Sequence, residues 1–153
     1  MKVGMVKEIG ASSYKISNSV GVIFYANDTH RHLFLLRNNK KNYEWGLPGG
    51  KVEKNETLRM ALERECIEEI NYWPIEAKLF PIEQFTSDDQ KFLYHTFYCI
   101  IDNEFIPQLN NEHIGYCWID NYTYPKPLDR GLFNTLNYNI IQQKIQIIHD
   151  AIK

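Results

Sequence analysis

Arg64, Glu65, Glu68 and Glu69 are the residues of this 153-residue chain whose types and spacing could do chemistry. On a helix, positions three and four apart share a face, so Glu65, Glu68 and Glu69 converge. Like charges at that spacing repel by about 0.2–0.5 kcal/mol per pair in water, and by more when partly buried. Something must compensate. Arg64 offsets part of the charge, but a hard divalent cation that takes oxygen ligands, Mg²⁺ first and Mn²⁺ as its substitute, would neutralise far more. Acidic helix faces are most often merely solvated; what singles this one out is the Pro48-Gly49-Gly50 turn before it. Gly49 and Gly50 let the backbone come close to a metal or a phosphate, and Pro48 fixes the approach. Glu53 and Glu56 add two more carboxylates at the mouth of the same turn.

The elements that must position these groups can be read from apolar periodicity. Thr57 or Asn55 can cap a helix running to Ile70, with good helix formers through its middle and Asn71 suited to the left-handed turn after it. Leu58, Leu62, Cys66 and Ile70 form its apolar stripe beside the acids. Upstream, the apolar run 19–26, the turn-rich "NDTHRH" and the run 33–37 predict two strands with a short connection. Downstream, 75–85 and 91–101 are rich in aromatic and β-branched residues around "SDDQ", which predicts a hairpin. Both faces of 91–101 are largely apolar, as in a strand covered on two sides, so helices are expected on both faces of the sheet. A further strand is predicted over 113–119, then a proline-bearing loop, then one amphipathic helix from 130 to the end. That helix carries Leu132, Leu136, Ile140, Ile148 and Ile152, flanked by Phe133, Ile141 and Ile145, with Asp129 as its cap.

Length and composition set the outer bounds. The chain, 44% hydrophobic, suits one domain spanning 1–153 with a core that needs no staples. A formal charge of −2 offers no broad basic field, which argues against tracking of a nucleic-acid backbone and for a small, locally charged ligand. The N-terminal seventeen residues lack a signal-peptide core, and no run approaches the roughly 18 apolar residues of a membrane span, so no membrane role and a cytoplasmic location are expected. Cys66, Cys99 and Cys117, odd in number and set among apolar residues, read as buried thiols.

Gly50, five residues, Glu56, seven residues, then Arg64-Glu65-Cys66-Ile67-Glu68-Glu69-Ile70-Asn71-Tyr72 resembles the signature of the Nudix hydrolases. Cys66 stands at an aliphatic position, Asn71 where glycine is usual, and Tyr72 at the closing aliphatic position; Asn55 also stands where the loop often carries glycine. None of these departures touches a charged residue, and Asn tolerates positive φ best among non-glycine residues. More loosely, the order of elements resembles that family's α/β/α sandwich around a mixed sheet. The resemblance implies an enzyme that hydrolyses the pyrophosphate of a nucleoside diphosphate linked to another group (an NTP or dNTP, a dinucleoside polyphosphate, ADP-ribose or a nucleotide sugar) with Mg²⁺ required. It implies Glu65, Glu68 and Glu69 as metal ligands, with the Gly49 carbonyl and Glu112 as further ones. Arg64 would orient the glutamates and Glu56 would hold Arg64. Gly49, Gly50, Glu53 and Tyr43 are the expected substrate contacts.

The general base is left open between Glu65 and Glu112, which lies six residues before Trp118. Asp88 and Asp89 read as turn residues, and His95 as a satisfied core or pocket histidine. Bases and ribose would sit against aromatic rings outside the signature, for which Tyr43, Trp45, Phe85, Tyr94 and Tyr98 are available. Two other readings stand beside hydrolysis of a small nucleotide: a catalytically silent nucleotide sensor, against which the full set of signature acids argues, and a pyrophosphohydrolase of RNA 5′ ends. The terminal helix is expected as the sandwich's outer layer, or as a homodimer face on an otherwise monomeric protein.

Overall fold

The computed structural model describes residues 15–120 and 123–152. The N-terminal segment 1–14, read above as lacking a signal peptide, lies outside the described residues, as do 121, 122 and 153. The strands are β1 (Ser17–Ala26), β2 (Arg31–Arg37), β3 (Trp45–Gly46), β4 (Gly49–Lys51), β5 (Leu79–Thr86), β6 (Phe92–Ile101) and β7 (His113–Asp120). The helices are α1 (Leu58–Ile70), α2 (Arg130–Leu136) and α3 (Asn139–Ala151).

Among the described residues the strands form one mixed sheet in the order β3-β2-β1-β6-β5, with β4 paired to β1 and β7 to β2. β1 is its axis, parallel to β6 and antiparallel to β2 and β4. Because successive side chains alternate across a strand, β1 supplies two cores. Val20, Val22, Phe24 and Ala26 meet Ala61, Leu62, Cys66 and Ile70 of α1. Ile23 and Tyr25 meet Leu132, Leu136, Ile141 and Ile145 of the terminal helices on the opposite face. This is the α/β/α layering expected from the two-sided apolar strands.

The departures from the signature are all absorbed. Thr57, not Asn55, caps α1 and accepts from the Met60 N–H at 3.1 Å. Asn55 and Asn71 both take left-handed backbone, at φ 68 and 53. Cys66 is a fully buried core residue. Tyr72 stacks on Phe105 with ring centroids 3.6 Å apart and meets Phe24 edge-on.

Four expectations need correction. β5 begins at Leu79, not Ile75; Glu76 turns left-handed at φ 54 and leaves Ile75 almost fully exposed. The terminal segment is two helices, because the chain breaks at Asn137 and Tyr138. That break rephases the apolar stripe, burying Ile141 and Ile145 while Ile140 and Ile152 stay exposed. Asp129 does cap the first of the two, accepting from the Leu132 N–H at 3.1 Å. Finally, Cys66 and Cys99 are buried, but Cys117 only partly so. No helix among the described residues is long and apolar enough to cross a membrane.

Candidate active site

The acidic cluster forms where the β4 turn meets α1. β4 lies against β1 with Gly49 opposite Gly21 and Gly50 opposite Val20. Gly49 has φ +153, and a Cβ there would stand 2.0 Å from the Val20 carbonyl oxygen, so only glycine fits. A Cβ on Gly50 would stand 2.5–2.7 Å from the Glu65 carboxyl atoms. The bare backbone of the turn is therefore pressed against the helix acids.

Arg64 sits among four carboxylates. It grips Glu56 through two nitrogens, at 2.7 and 2.9 Å, and donates to Glu65 at 2.8 Å. It approaches Glu68 at 3.5 Å and Glu53 at 3.7 Å, and donates to the Lys51 carbonyl at 3.0 Å. Glu56 also accepts the Glu53 N–H at 2.8 Å. The Arg64 hydrogen bonds, then that N–H, hold the Glu56 carboxyl down at about 2. Arg64 is accordingly locked as a cation.

Glu69 takes no part in this ion-pair network. It is 4% exposed and accepts the Gly49 N–H at 3.0 Å. Burial, reinforced by the charges of Glu65 and Glu112, pushes its carboxyl up to about 8 despite that hydrogen bond and the more distant Arg37. Burial likewise raises Glu65, against the pull of Arg64. Glu112 sits across the cluster, held by Asn110, whose side-chain amide also donates to the Glu68 carbonyl at 3.0 Å.

These residues fit a hard divalent cation by the chemistry of their donors. They are oxygen donors, two of them buried, mutually repelling and only partly compensated by the Arg64 guanidinium. Among the described residues no three acidic, histidine or cysteine side chains stand drawn together as a closed cage.

Beside the cluster lies a cavity of about 570 Å³, lined on the sheet side by Arg37, Glu83, Phe85, Phe92, Tyr94 and Thr96. Asp129, Arg130 and Thr135, at the start of α2, close it. The two regions adjoin through glycine. A Cβ on Gly21 would stand 2.2 Å from the Tyr94 hydroxyl, and Gly21 is the strand partner of Gly49. Arg37 and Tyr94 both feel the charge of Glu69.

Of the aromatic residues expected to meet a base, Phe85 and Tyr94 line this cavity. Tyr98 cannot serve: it is fully buried between His32 and His149, 2.8 Å from each. Tyr43 is exposed on the loop before β3 and, like Trp45, is absent from the cavity wall. His95 is satisfied by Asn18 at 2.9 Å, and Asp89 is a turn residue accepting from Ser87 and Lys91. Arg37, Glu83, Phe92 and Arg130 escaped the sequence reading. A charge closing an apolar strand was the available signal for Arg37, and a lone acid within an apolar strand for Glu83.

The family model for the NUDIX domain matches residues 15–135. A dihydroneopterin triphosphate diphosphatase of Haemophilus influenzae is 31% identical, the match covering 69% of this chain and 75% of the relative. An 8-oxo-dGTP diphosphatase of the same organism is 32% identical, over 69% and 73%. Among solved structures, the E. coli dihydroneopterin triphosphate pyrophosphohydrolase superposes with TM-score 0.55 at 26% identity, covering 67% of this chain and 80% of that one. A C. elegans Ap4A hydrolase reaches TM-score 0.64 over 86% and 98% at 17% identity, a likeness of fold.

Proposed function

The chain belongs to the Nudix family and is a pyrophosphohydrolase of nucleotide-linked substrates; on that premise we propose that it cleaves, with Mg²⁺, the triphosphate of a small compound bearing a 2-amino-4-oxo-pyrimidine ring. The two curated relatives are named for dihydroneopterin triphosphate and 8-oxo-dGTP. These differ in second ring and in the group that carries the triphosphate, an open polyol chain in one and deoxyribose in the other, but share that pyrimidine. A cavity of about 570 Å³ with three aromatic walls is of a size to hold one bicyclic heterocycle and its sugar.

The observation that carries the metal dependence is Glu69, a carboxylate 4% exposed, pushed up by burial and by its acidic neighbours, beside a turn that must be glycine. Glu65, Glu68, Glu69 and Glu112, with the Gly49 carbonyl, would hold Mg²⁺, which when bound screens the phosphates and lowers the pKa of water. Arg64 keeps Glu65 oriented and is itself kept by Glu56. Glu65 or Glu112 takes the proton of the attacking water. Arg37 and Arg130, on the cavity wall, offer cations to the phosphate chain.

The test is a panel of pterin, purine and pyrimidine nucleoside triphosphates with Mg²⁺, products identified by mass in oxygen-18 water. Hydrolysis to monophosphate and pyrophosphate, strongest on the guanine and pterin compounds and lost in Glu69→Gln, supports the proposal. Equal rates on all heterocycles would remove the substrate assignment. No hydrolysis of any member would remove the triphosphate reading altogether.

A further inference from the structure

We infer that Glu83 is the residue that selects the substrate's heterocycle, by accepting hydrogen bonds from the 2-amino edge of its pyrimidine ring; the inference rests on the function proposed above. The argument begins with strand register. On β6, Tyr98, Thr96, Tyr94 and Phe92 alternate onto the face that carries the cavity. On β5, Phe80 opposes Tyr98 and Pro81 opposes Phe97, but the next registered pair is Glu83 with Thr96. Ile82 is the extra residue of a β-bulge. Regular alternation from Phe80 would turn Ile82 and Gln84 onto the cavity face and Glu83 and Phe85 away from it. The bulge leaves Ile82 in the core on this same face, packed with Tyr98 and Leu132, and brings Glu83 and Phe85 onto it as well, opposite Thr96 and Tyr94, where both line the cavity.

The carboxylate so placed is held. The buried Thr135 hydroxyl, from α2 across the cavity, donates to one Glu83 oxygen. The other oxygen has no protein partner among the described residues. Thr135 consumes one lone pair of a group that can accept about four hydrogen bonds. Nor does any salt bridge among the described residues neutralise Glu83, although Arg37 and Arg130 line the same cavity. A carboxylate fixed in an aromatic-walled cavity with free acceptor capacity suits a ligand edge that presents parallel N–H donors. The ring N–H and exocyclic amine of a 2-amino-4-oxo-pyrimidine are such an edge, while uracil, thymine and hypoxanthine present no amine there. Asp129, the cavity's other acid, is less free, since one of its oxygens caps α2.

GTP and ITP differ only in that amine, so they are the probes. Wild-type protein with Mg²⁺ is expected to favour GTP over ITP by about tenfold or more in kcat/KM. In Glu83→Ala the ratio falls toward one, and in Glu83→Gln, which keeps one acceptor, it falls part of the way. Thr135→Val, which frees the carboxylate without removing it, should raise KM for GTP more than it lowers kcat. Calorimetric binding of GMP and IMP to the same proteins separates two kinds of failure. If no triphosphate is hydrolysed yet GMP binds more tightly than IMP and Glu83→Ala abolishes the difference, the selector stands and the proposed reaction falls. A ratio near one in the wild type, or one unchanged in a folded Glu83→Ala or Glu83→Gln variant, overturns the selector.

Discussion

Glu69 accepts a hydrogen bond from the N–H of Gly49 at 3.0 Å, tying the last turn of α1 to the glycine turn that precedes it. The bond needs Gly49 close against β1, where a Cβ would stand 2.0 Å from the Val20 carbonyl oxygen. Gly49→Ala therefore forces backbone apart in the centre of the sheet. A loss of about 3 kcal/mol or more is expected, read as a drop in Tm or in the urea midpoint. An alanine variant as stable as wild type would show that β4 can withdraw from β1 freely.

Removing the charge of Glu69 separates stability from catalysis. Glu69→Gln keeps the shape and an acceptor for the Gly49 N–H, but carries no buried charge. Turnover with Mg²⁺ should fall by about a hundredfold or more, while Tm without added cation should not fall. Added Mg²⁺ should raise the wild type's Tm and raise the variant's less. A variant retaining near-full kcat would remove Glu69 from the cation site.

Arg64 is a fork, not merely a charge. It holds Glu56 through two nitrogens and Glu65 through a third contact, which a lysine ammonium cannot reproduce. Arg64→Lys should lower kcat by about tenfold or more with little change in the far-UV circular dichroism. Glu56→Gln should give a smaller loss of the same kind, because Glu65 keeps its own contact. Full activity in Arg64→Lys would mean that charge alone suffices.

Acid stability should be governed in part by His32. Burial, with the nearby His149 adding to it, holds the His32 imidazole at about 4 against an ordinary 6.5. Its neighbours are the Tyr98 hydroxyl at 2.8 Å and the Tyr25 ring. The unfolded chain therefore takes up a proton that the folded chain refuses. Stability is fully present above pH 6.5 and erodes as pH falls toward 4, by at most about 1.4 kcal/mol per pH unit from this group. His113, held at about 4 chiefly by burial, acts in the same direction and window. Urea unfolding at pH 7 and pH 5 should show the loss, and His32→Gln should reduce it. An identical loss in the variant would assign the effect elsewhere.

Much of the candidate site is legible in the sequence. The helix from Thr57 to Asn71, its acids, the glycine turn and the two-sided strands follow from local rules: side-chain period, capping chemistry and the φ that Asn tolerates. Asn55 and Asn71 take the left-handed backbone expected of them. The cavity is of another kind. Its wall draws on Arg37 of β2, Glu83 and Phe85 of β5, Phe92 and Tyr94 of β6, and Asp129 to Thr135 at α2. No spacing in the chain connects these positions.

What the sequence by itself determined is the acidic cluster of the candidate site, because side chains drawn from one helix and the turn before it keep their relationship in any fold that preserves that helix. What only the tertiary structure decided is the cavity that stands beside that cluster. The parallel pairing of β1 with β6, the extra residue at Ile82 and the break between α2 and α3 are settled by packing between distant segments. A shift of one residue in a strand changes which side chains face the cavity, and no local propensity specifies that shift.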